Sequence, residues 1–293
     1  MVYTIAFVSG KGGTGKTTVA VNLAKLLSVN IRVLLVDLDV EEPNDNIFLK
    51  YSIANVGAYY YKPYFDLDKC TYCLECSKKC QFGAIAVAPN FLNFFEELCH
   101  GCTACKYICQ YKAISDDERE IGKIHYNVSM APSLISGCLN YGSTLTTALI
   151  RKTKQYAEGF IDDFDLLIYD CPPGNSCPAI ESIKDVDIVV IVAEPTPFGF
   201  HDFMIMEKTL KQLGKKYLVF INKDNNDFPY LRDYCSCNNL EIIGQIRYSK
   251  NISEQYSKGE FINNITEVTE QLYNSYIKIM NNIESRSEGN INC

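Results

Sequence analysis

Short apolar runs alternate with amphipathic stretches along the chain, and one long polar, cysteine-rich segment interrupts them. Residues 2–8 are β-branched, aromatic and aliphatic, which predicts a buried strand running into a loop at Ser9 and Gly10. Apolar positions 19, 20, 23, 24 and 27 recur at helical spacing, and residues 31–36 predict a second buried strand ending at Asp37 and Asp39. Strand, loop, helix, strand is the opening of a parallel α/β sheet. The pattern breaks near Tyr51 and stays cysteine- and tyrosine-rich, with an acidic run at 116–120, until about Pro132. Beyond it, 144–156 and 203–213 read as helices. Residues 165–169, 187–193, 216–221 and 241–246 read as strands, the first ending at Asp170 and the third at Asn222. Ile265, Val268, Leu272, Tyr276, Ile279 and Ile283 form one stripe on a C-terminal helix. The expected class is α/β: a mostly parallel, doubly wound sheet built from 1–50 and 133–293. A small α+β module, 51–132 with flanking linkers, is inserted after its second strand.

Composition narrows the possibilities. The chain has 293 residues, about two units' worth, and 47% hydrophobic with 22% charged residues is ordinary for a globular protein. A net charge of −7 speaks against a general nucleic-acid binder, which needs a basic excess. No apolar run reaches the roughly 18 residues of a membrane span, and no basic segment precedes an apolar leader, so a cytoplasmic protein is expected. The C-terminal stripe could lie on a membrane. Its polar side sets Glu267, Glu270 and Glu284 against Lys278 and Arg286, too little positive charge to favour anionic lipid, so packing on the sheet and no membrane anchor are expected.

Residues 10–17 fit G-x-x-x-x-G-K-[ST] between a strand and a helix. In such a loop Gly10, Gly12, Gly13, Thr14, Gly15 and Thr18 turn backbone N–H groups around phosphate oxygens. Lys16 reaches the β- and γ-phosphates, and the Thr17 hydroxyl ligates Mg²⁺. Asp37, Asp39 and Asp170 close strands at the edge where ligands bind in such sheets.

Fourteen cysteines in a reducing compartment point to metal rather than disulfides. Cys70-x2-Cys73-x2-Cys76-x3-Cys80 recurs as Cys99-x2-Cys102-x2-Cys105-x3-Cys109, the bacterial ferredoxin spacing, in which the fourth cysteine of each run serves the opposite cluster. One [4Fe-4S] cluster is therefore expected on Cys70, Cys73, Cys76 and Cys109, the other on Cys99, Cys102, Cys105 and Cys80. Structural zinc is the alternative, but it uses separated C-x2-C pairs rather than three ligands in one run. The usual proline after each fourth cysteine is replaced by Gln81 and Gln110. Cys138, Cys171, Cys177, Cys235, Cys237 and Cys293 are scattered, with Cys235-Ser-Cys237 read as structural.

A second lysine, Lys11, directly after the first glycine makes the loop resemble the deviant loop of the MinD/Mrp-type ATPases, relatives of the nitrogenase iron protein. The resemblance implies that Lys11 reaches the nucleotide of a partner subunit, in an ATP-dependent homodimer or a heterodimer with a similar ATPase. It implies that Asp39 orients the attacking water, that Asp37 and Asp170 lie in the Mg²⁺ shell, and that Asn222 hydrogen-bonds adenine. It also raises a cluster shared between subunits through Cys138, Cys171 or Cys177, although that match is loose. Together with the ferredoxin-like insertion, it implies an ATPase (ATP and water to ADP and phosphate) whose switch segments, starting at Asp39 and Asp170, govern electron transfer. The recipient would be a redox or metallocofactor-assembly partner. The alternatives are an iron–sulfur cluster carrier or scaffold and a MinD-like positioning ATPase.

Overall fold

The computed structural model describes residues 2–289, with side chains through 285; Cys293 and the Arg286 side chain lie outside the described residues. The first elements are β1 (Tyr3–Val8), α1 (Lys16–Leu27), β2 (Val33–Asp37), α2 (Asp45–Leu49) and β3 (Ala54–Phe65). The cysteine-rich segment contains α3 (Glu75–Lys79), β4 (Ile85–Ala88), β5 (Phe91–Phe94) and α4 (Ala104–Ile108). Then follow β6 (Ile114–Asn127), β7 (Ser133–Leu139), α5 (Thr146–Glu158), β8 (Leu166–Asp170), α6 (Cys177–Ser182) and β9 (Ile188–Ala193). The last elements are α7 (Pro197–Gln212), β10 (Tyr217–Asp224), α8 (Tyr230–Cys237), β11 (Ile242–Arg247), α9 (Lys250–Ser257) and α10 (Thr266–Gly289).

Nine strands make one sheet in the order β11-β10-β9-β1-β8-β2-β7-β6-β3, and the seven from β11 to β7 run parallel. Both faces are covered. Ile5 and Phe7 join the apolar layer shared with α1 and α10, while Ala6 and Val8 join the layer shared with α5 and α7. That is why the central strands read as unbroken apolar runs. Val268, Leu272, Ile279 and Ile283 of α10 are buried in the first layer, so the C-terminal stripe faces the sheet. Among the described residues no helix is long and apolar enough to cross a membrane.

The mostly parallel α/β class is as expected, and three details differ. Strand β7 escapes the pattern because Ser133, Ser136 and Gly137 interrupt its apolar run. Helix α7 starts six residues before the expected 203. Thr196 caps it by accepting the Gly199 N–H at 3.0 Å, and Pro197 takes the first helical position. The stretches on either side of the cysteine-rich segment, where linkers were expected, form strands β3 and β6. β3 and β6 pair antiparallel from Ala54 opposite Tyr126 to Phe65 opposite Ile114. β6 in turn pairs with β7 only from Gly122 to Asn127, so its first eight residues have no β7 partner and form, with β3, a two-stranded ribbon. A bulge at Ile121 marks the departure: Ala58 opposes Gly122, but Tyr59 opposes Glu120. Gly122 is required there, because a Cβ would lie 2.4 Å from the Cys138 carbonyl oxygen. The segment with the eight clustered cysteines spans the far end of this ribbon, from Phe65 to Ile114.

Candidate functional site

Parallel pairing brings the C-terminal ends of β1, β2, β8 and β10 to one edge of the sheet. There the chain turns through the loop 9–15 into α1. Gly15 has φ +87°, and a Cβ on it would lie 2.0 Å from Asn222 Nδ2, so only glycine fits. Lys16 is buried. Its Nζ donates to Asp170 Oδ1 at 2.7 Å, and Thr17 Oγ1 donates to Asp170 Oδ2 at 2.6 Å. Burial works against the Lys16 ammonium, but the charge and hydrogen bond of Asp170 outweigh it and hold the pKa above its ordinary value.

Asp37 accepts the Asp39 N–H at 3.1 Å through Oδ1, and the Asn44 and Asp45 N–H groups at 3.0 and 3.3 Å through Oδ2. These bonds fold residues 39–44 back over the end of β2. Burial, then the Asp170 charge, pushes the Asp37 carboxyl up to about 8. Burial likewise raises Asp39 to about 6, with Lys16 opposing the shift. Ligand atoms of Asp37, Asp45 and Asp170 lie within 4.8 Å of one another. Asp45 gives no signal in the sequence, where an acid after Asn44 reads as an ordinary first-turn helix residue.

Lys11 pairs with Glu194 of its own chain at 3.4 Å and is about one third exposed. Asn222 Nδ2 donates to the Thr14 carbonyl at 2.8 Å, and Lys223 Nζ donates to the Gly13 carbonyl. Beside them lies a cleft of about 300 Å³ walled by Gly15, Thr18, Asn222, Arg247, Ile252 and Tyr256, at the small end of the ligand-pocket range. Its α9 wall carries no sequence motif.

The profile of the CobQ/CobB/MinD/ParA nucleotide binding domain matches residues 5–262. The chain belongs to this family. It is 33% identical over 234 residues to an uncharacterized protein of Methanocaldococcus jannaschii, covering 78% of this chain and 82% of that one. It is 23% identical over 246 residues to the iron-sulfur cluster carrier protein of Pyrococcus furiosus, covering 83% of this chain and 67% of the carrier. Among solved structures it is similar to the MinD cell division protein of Aquifex aeolicus, with TM-score 0.58, 18% identity and coverage of 96% and 97%. A strand, the glycine-rich loop and α1 in this family context make it an ATP-binding protein of MinD/ParA type.

The cysteines of this MinD/ParA-type protein fall into two groups. Cys70, Cys73, Cys76 and Cys109 line one cavity with Phe65, Leu92 and Ile114. Cys80, Cys99, Cys102 and Cys105 line another with Tyr61, Pro63 and Phe82. Tyr61 and Pro63 precede Phe65 along β3, so the Cys80 group sits nearer the sheet. The backbone repeats between the halves. Tyr72 and Gly101 have φ +53° and +63°, Leu74 and Thr103 have φ +71° and +63°, and α3 and α4 follow. Left-handed Tyr, Leu and Thr are costly, and strain of this kind marks loops that hold a ligand.

The donor set suits an iron–sulfur cluster: four thiols and mostly apolar walls. The Gly101 N–H donates to Cys99 Sγ at 3.4 Å and the Ala113 N–H to Cys109 Sγ at 3.3 Å. The Tyr61 hydroxyl is buried beside Cys99 and Cys105. Burial pushes the Cys105 thiol up to about 11, so a metal binding there displaces a proton. The other described cysteines are dispersed. Cys138 is half-buried in β7, Cys171 buried after β8, Cys177 exposed at the start of α6, Cys235 buried in α8 and Cys237 exposed.

Proposed function

We propose that this protein hydrolyses ATP and uses its nucleotide state to control electron transfer through two [4Fe-4S] clusters to a redox or metallocofactor-assembly partner. The clusters would sit on Cys70, Cys73, Cys76 and Cys109, and on Cys80, Cys99, Cys102 and Cys105, within an inserted module spanning 51–132. The observation that carries this reading is a bonded path from the phosphate edge to the ribbon. Val40 accepts the Leu139 N–H at 2.8 Å, and Glu41 Oε1 accepts the Thr146 hydroxyl at 2.7 Å. Asn140, next to Leu139, donates its N–H to the Ile121 carbonyl at the bulge (3.0 Å) and its Nδ2 to the Glu120 carbonyl (3.2 Å). A shift of the segment after Asp39 therefore pulls on the root of the arm.

With triphosphate bound, Lys16 exchanges Asp170 for β- and γ-phosphate oxygens, and the N–H groups of Gly10 to Thr18 surround the phosphates. Thr17 and Asp170, with Asp37 in the outer shell, would hold Mg²⁺, which neutralises charge as the γ-phosphoryl group transfers. Asp39, ionised at neutral pH, accepts a hydrogen bond from the attacking water. Asn222 faces the base in the cleft bounded by Ile252 and Tyr256. Lys11 leaves Glu194 for the nucleotide of a second subunit, a contact of the arginine-finger kind worth about 10³–10⁵ in rate. The clusters supply one-electron transfer. A typical linkage of about 1–3 kcal/mol between nucleotide and redox state equals roughly 40–130 mV per electron. That is enough to gate transfer, while an outside donor provides the electrons.

Anaerobic purification should yield about eight irons per chain. Midpoint potentials followed by electron paramagnetic resonance should shift when ATP is added; a titration indifferent to ATP removes the gating step.

Arg119 distinguishes the two clusters. Its largely buried guanidinium donates to the Glu96 carbonyl and, at 2.6 Å, to the Cys99 carbonyl, and its charge favours the Cys99 thiolate. A positive charge favours the reduced cluster. Arg119→Gln should lower the midpoint of one cluster and leave the other in place; two unmoved midpoints remove Arg119 from this role.

The likeness to the Pyrococcus carrier favours a second reading, transfer of whole clusters. Four protein thiols around each cavity favour retention. Iron that stays with the protein while an acceptor is activated separates electron delivery from cluster transfer.

A further inference from the structure

Of the three carboxylates whose ligand atoms meet at the phosphate edge, Asp37, Asp45 and Asp170, two have hydrogen-bond partners. Asp170 accepts from Lys16 and Thr17, and Asp37 accepts from three backbone N–H groups and, at 3.4 Å, from the Ser136 hydroxyl. Asp45 is fully buried, and neither of its carboxylate oxygens has a hydrogen-bond partner among the described residues. A ligand oxygen of Asp45 nevertheless lies within 4.8 Å of ligand atoms of both Asp37 and Asp170. A buried carboxylate in that state needs a proton or a cation. Four carboxylates gather here, counting Asp39, against the single ammonium of Lys16, and a bound triphosphate adds further negative charge. Burial and the neighbouring Asp37 charge, which raise the Asp45 pKa, express the same conflict. An all-oxygen donor set in a tight space suits a small hard divalent ion.

We propose that Asp45, with Asp37 and Asp170, forms a Mg²⁺ site that fills in the absence of nucleotide and ties α2 to the phosphate edge. The consequence is mechanical. Asp45 is the first residue of α2, which ends at Leu49, and β3 starts at Ala54. Phe48 of α2 packs against Tyr256 of the cleft wall, ring centroids 5.2 Å apart. One ion would thus hold together the end of β2, the end of β8 and the helix from which the ribbon departs. This deepens the Mg²⁺–nucleotide reading above and rests on it.

Mn²⁺ is the probe, titrated into the cluster-loaded protein at room temperature, where the six-line resonance of free Mn²⁺ reports what remains unbound. One Mn²⁺ per chain should bind without nucleotide, and Mg²⁺ should displace it. Asp45→Asn should weaken that binding at least tenfold. The metal-free variant should also melt at a higher temperature than the metal-free parent, because a buried unpartnered carboxylate has gone; a merely structural Asp45 would give the opposite shift. Absence of a nucleotide-free Mn²⁺ site in the parent overturns the proposal whether or not the variant folds, as does unchanged affinity in Asp45→Asn. Binding of Mn²⁺–ATP by the parent is measured separately. Its failure would sink the nucleotide reading, and its success without a nucleotide-free ion would sink only the Asp45 site.

Discussion

Lys16→Ala should abolish ATP turnover, by at least about 10²–10³-fold, the cost of removing one preorganised donor from developing charge, while leaving about eight irons on the chain. The two halves of this expectation rest on separate structure. Lys16 is the ammonium buried at the phosphate edge, bonded to Asp170 at 2.7 Å, and no other side chain in that group carries a positive charge. The cysteines, by contrast, lie beyond a ribbon whose eight residues at the start of β6 have no partner in β7. Breaking a buried ion pair by deleting one partner costs about 3–5 kcal/mol. The variant should therefore melt earlier yet fold. Turnover measured as phosphate release, with iron counted on the same folded sample, checks both halves. Loss of iron together with turnover would mean that the arm depends on the phosphate edge for its folding, and the modular reading would fail.

Legibility in the sequence followed local chemistry. The loop 10–17 and the eight clustered cysteines were readable because spacing alone defines them, and β1, β2, β8 and β9 because burial on both faces leaves unbroken apolar runs. Helix α10 was readable from its stripe. Interactions across distant parts of the chain were not readable. Asp45 becomes conspicuous only when β2 and β8 bring Asp37 and Asp170 to its side, and Glu194 only when the end of β9 meets Lys11. Strands β3 and β6 were hidden for another reason. They are partly exposed ribbon strands rich in tyrosine and charge, without the clean alternation of a half-buried strand, and their partner lies some sixty residues away, as in Tyr59 opposite Glu120. The stretches on either side of the cysteine-rich segment are therefore paired strands, and under the proposed function they connect the phosphate edge to the arm.

The second large effect concerns how the two cysteine runs are wired. If each run of four held its own cluster, Cys80 would belong with Cys70, Cys73 and Cys76, and Cys109 with Cys99, Cys102 and Cys105. The cavities divide them the other way: Cys109 lines the cavity of the first three, and Cys80 that of the second three. The geometry behind this is the pairing of α3 with α4, which carry Cys76 and Cys105 and end next to Cys80 and Cys109, so that each run finishes at the opposite cavity. Replacing Cys70, Cys73 and Cys76 with alanine should halve the iron, from about eight to about four, and leave one half of the pair of cluster signals. It should also free one distant thiol. Under native anaerobic conditions Cys109 should react with an alkylating reagent while Cys80 stays protected, since a thiolate bound to metal is withheld from the reagent and an unligated one is not. Peptide mapping of the alkylated protein reads the result directly. Alkylation of Cys80 with Cys109 protected would show that each run wraps its own cluster. The path from one cluster to the other would then have to be redrawn, together with the placement of Arg119 beside the inner one.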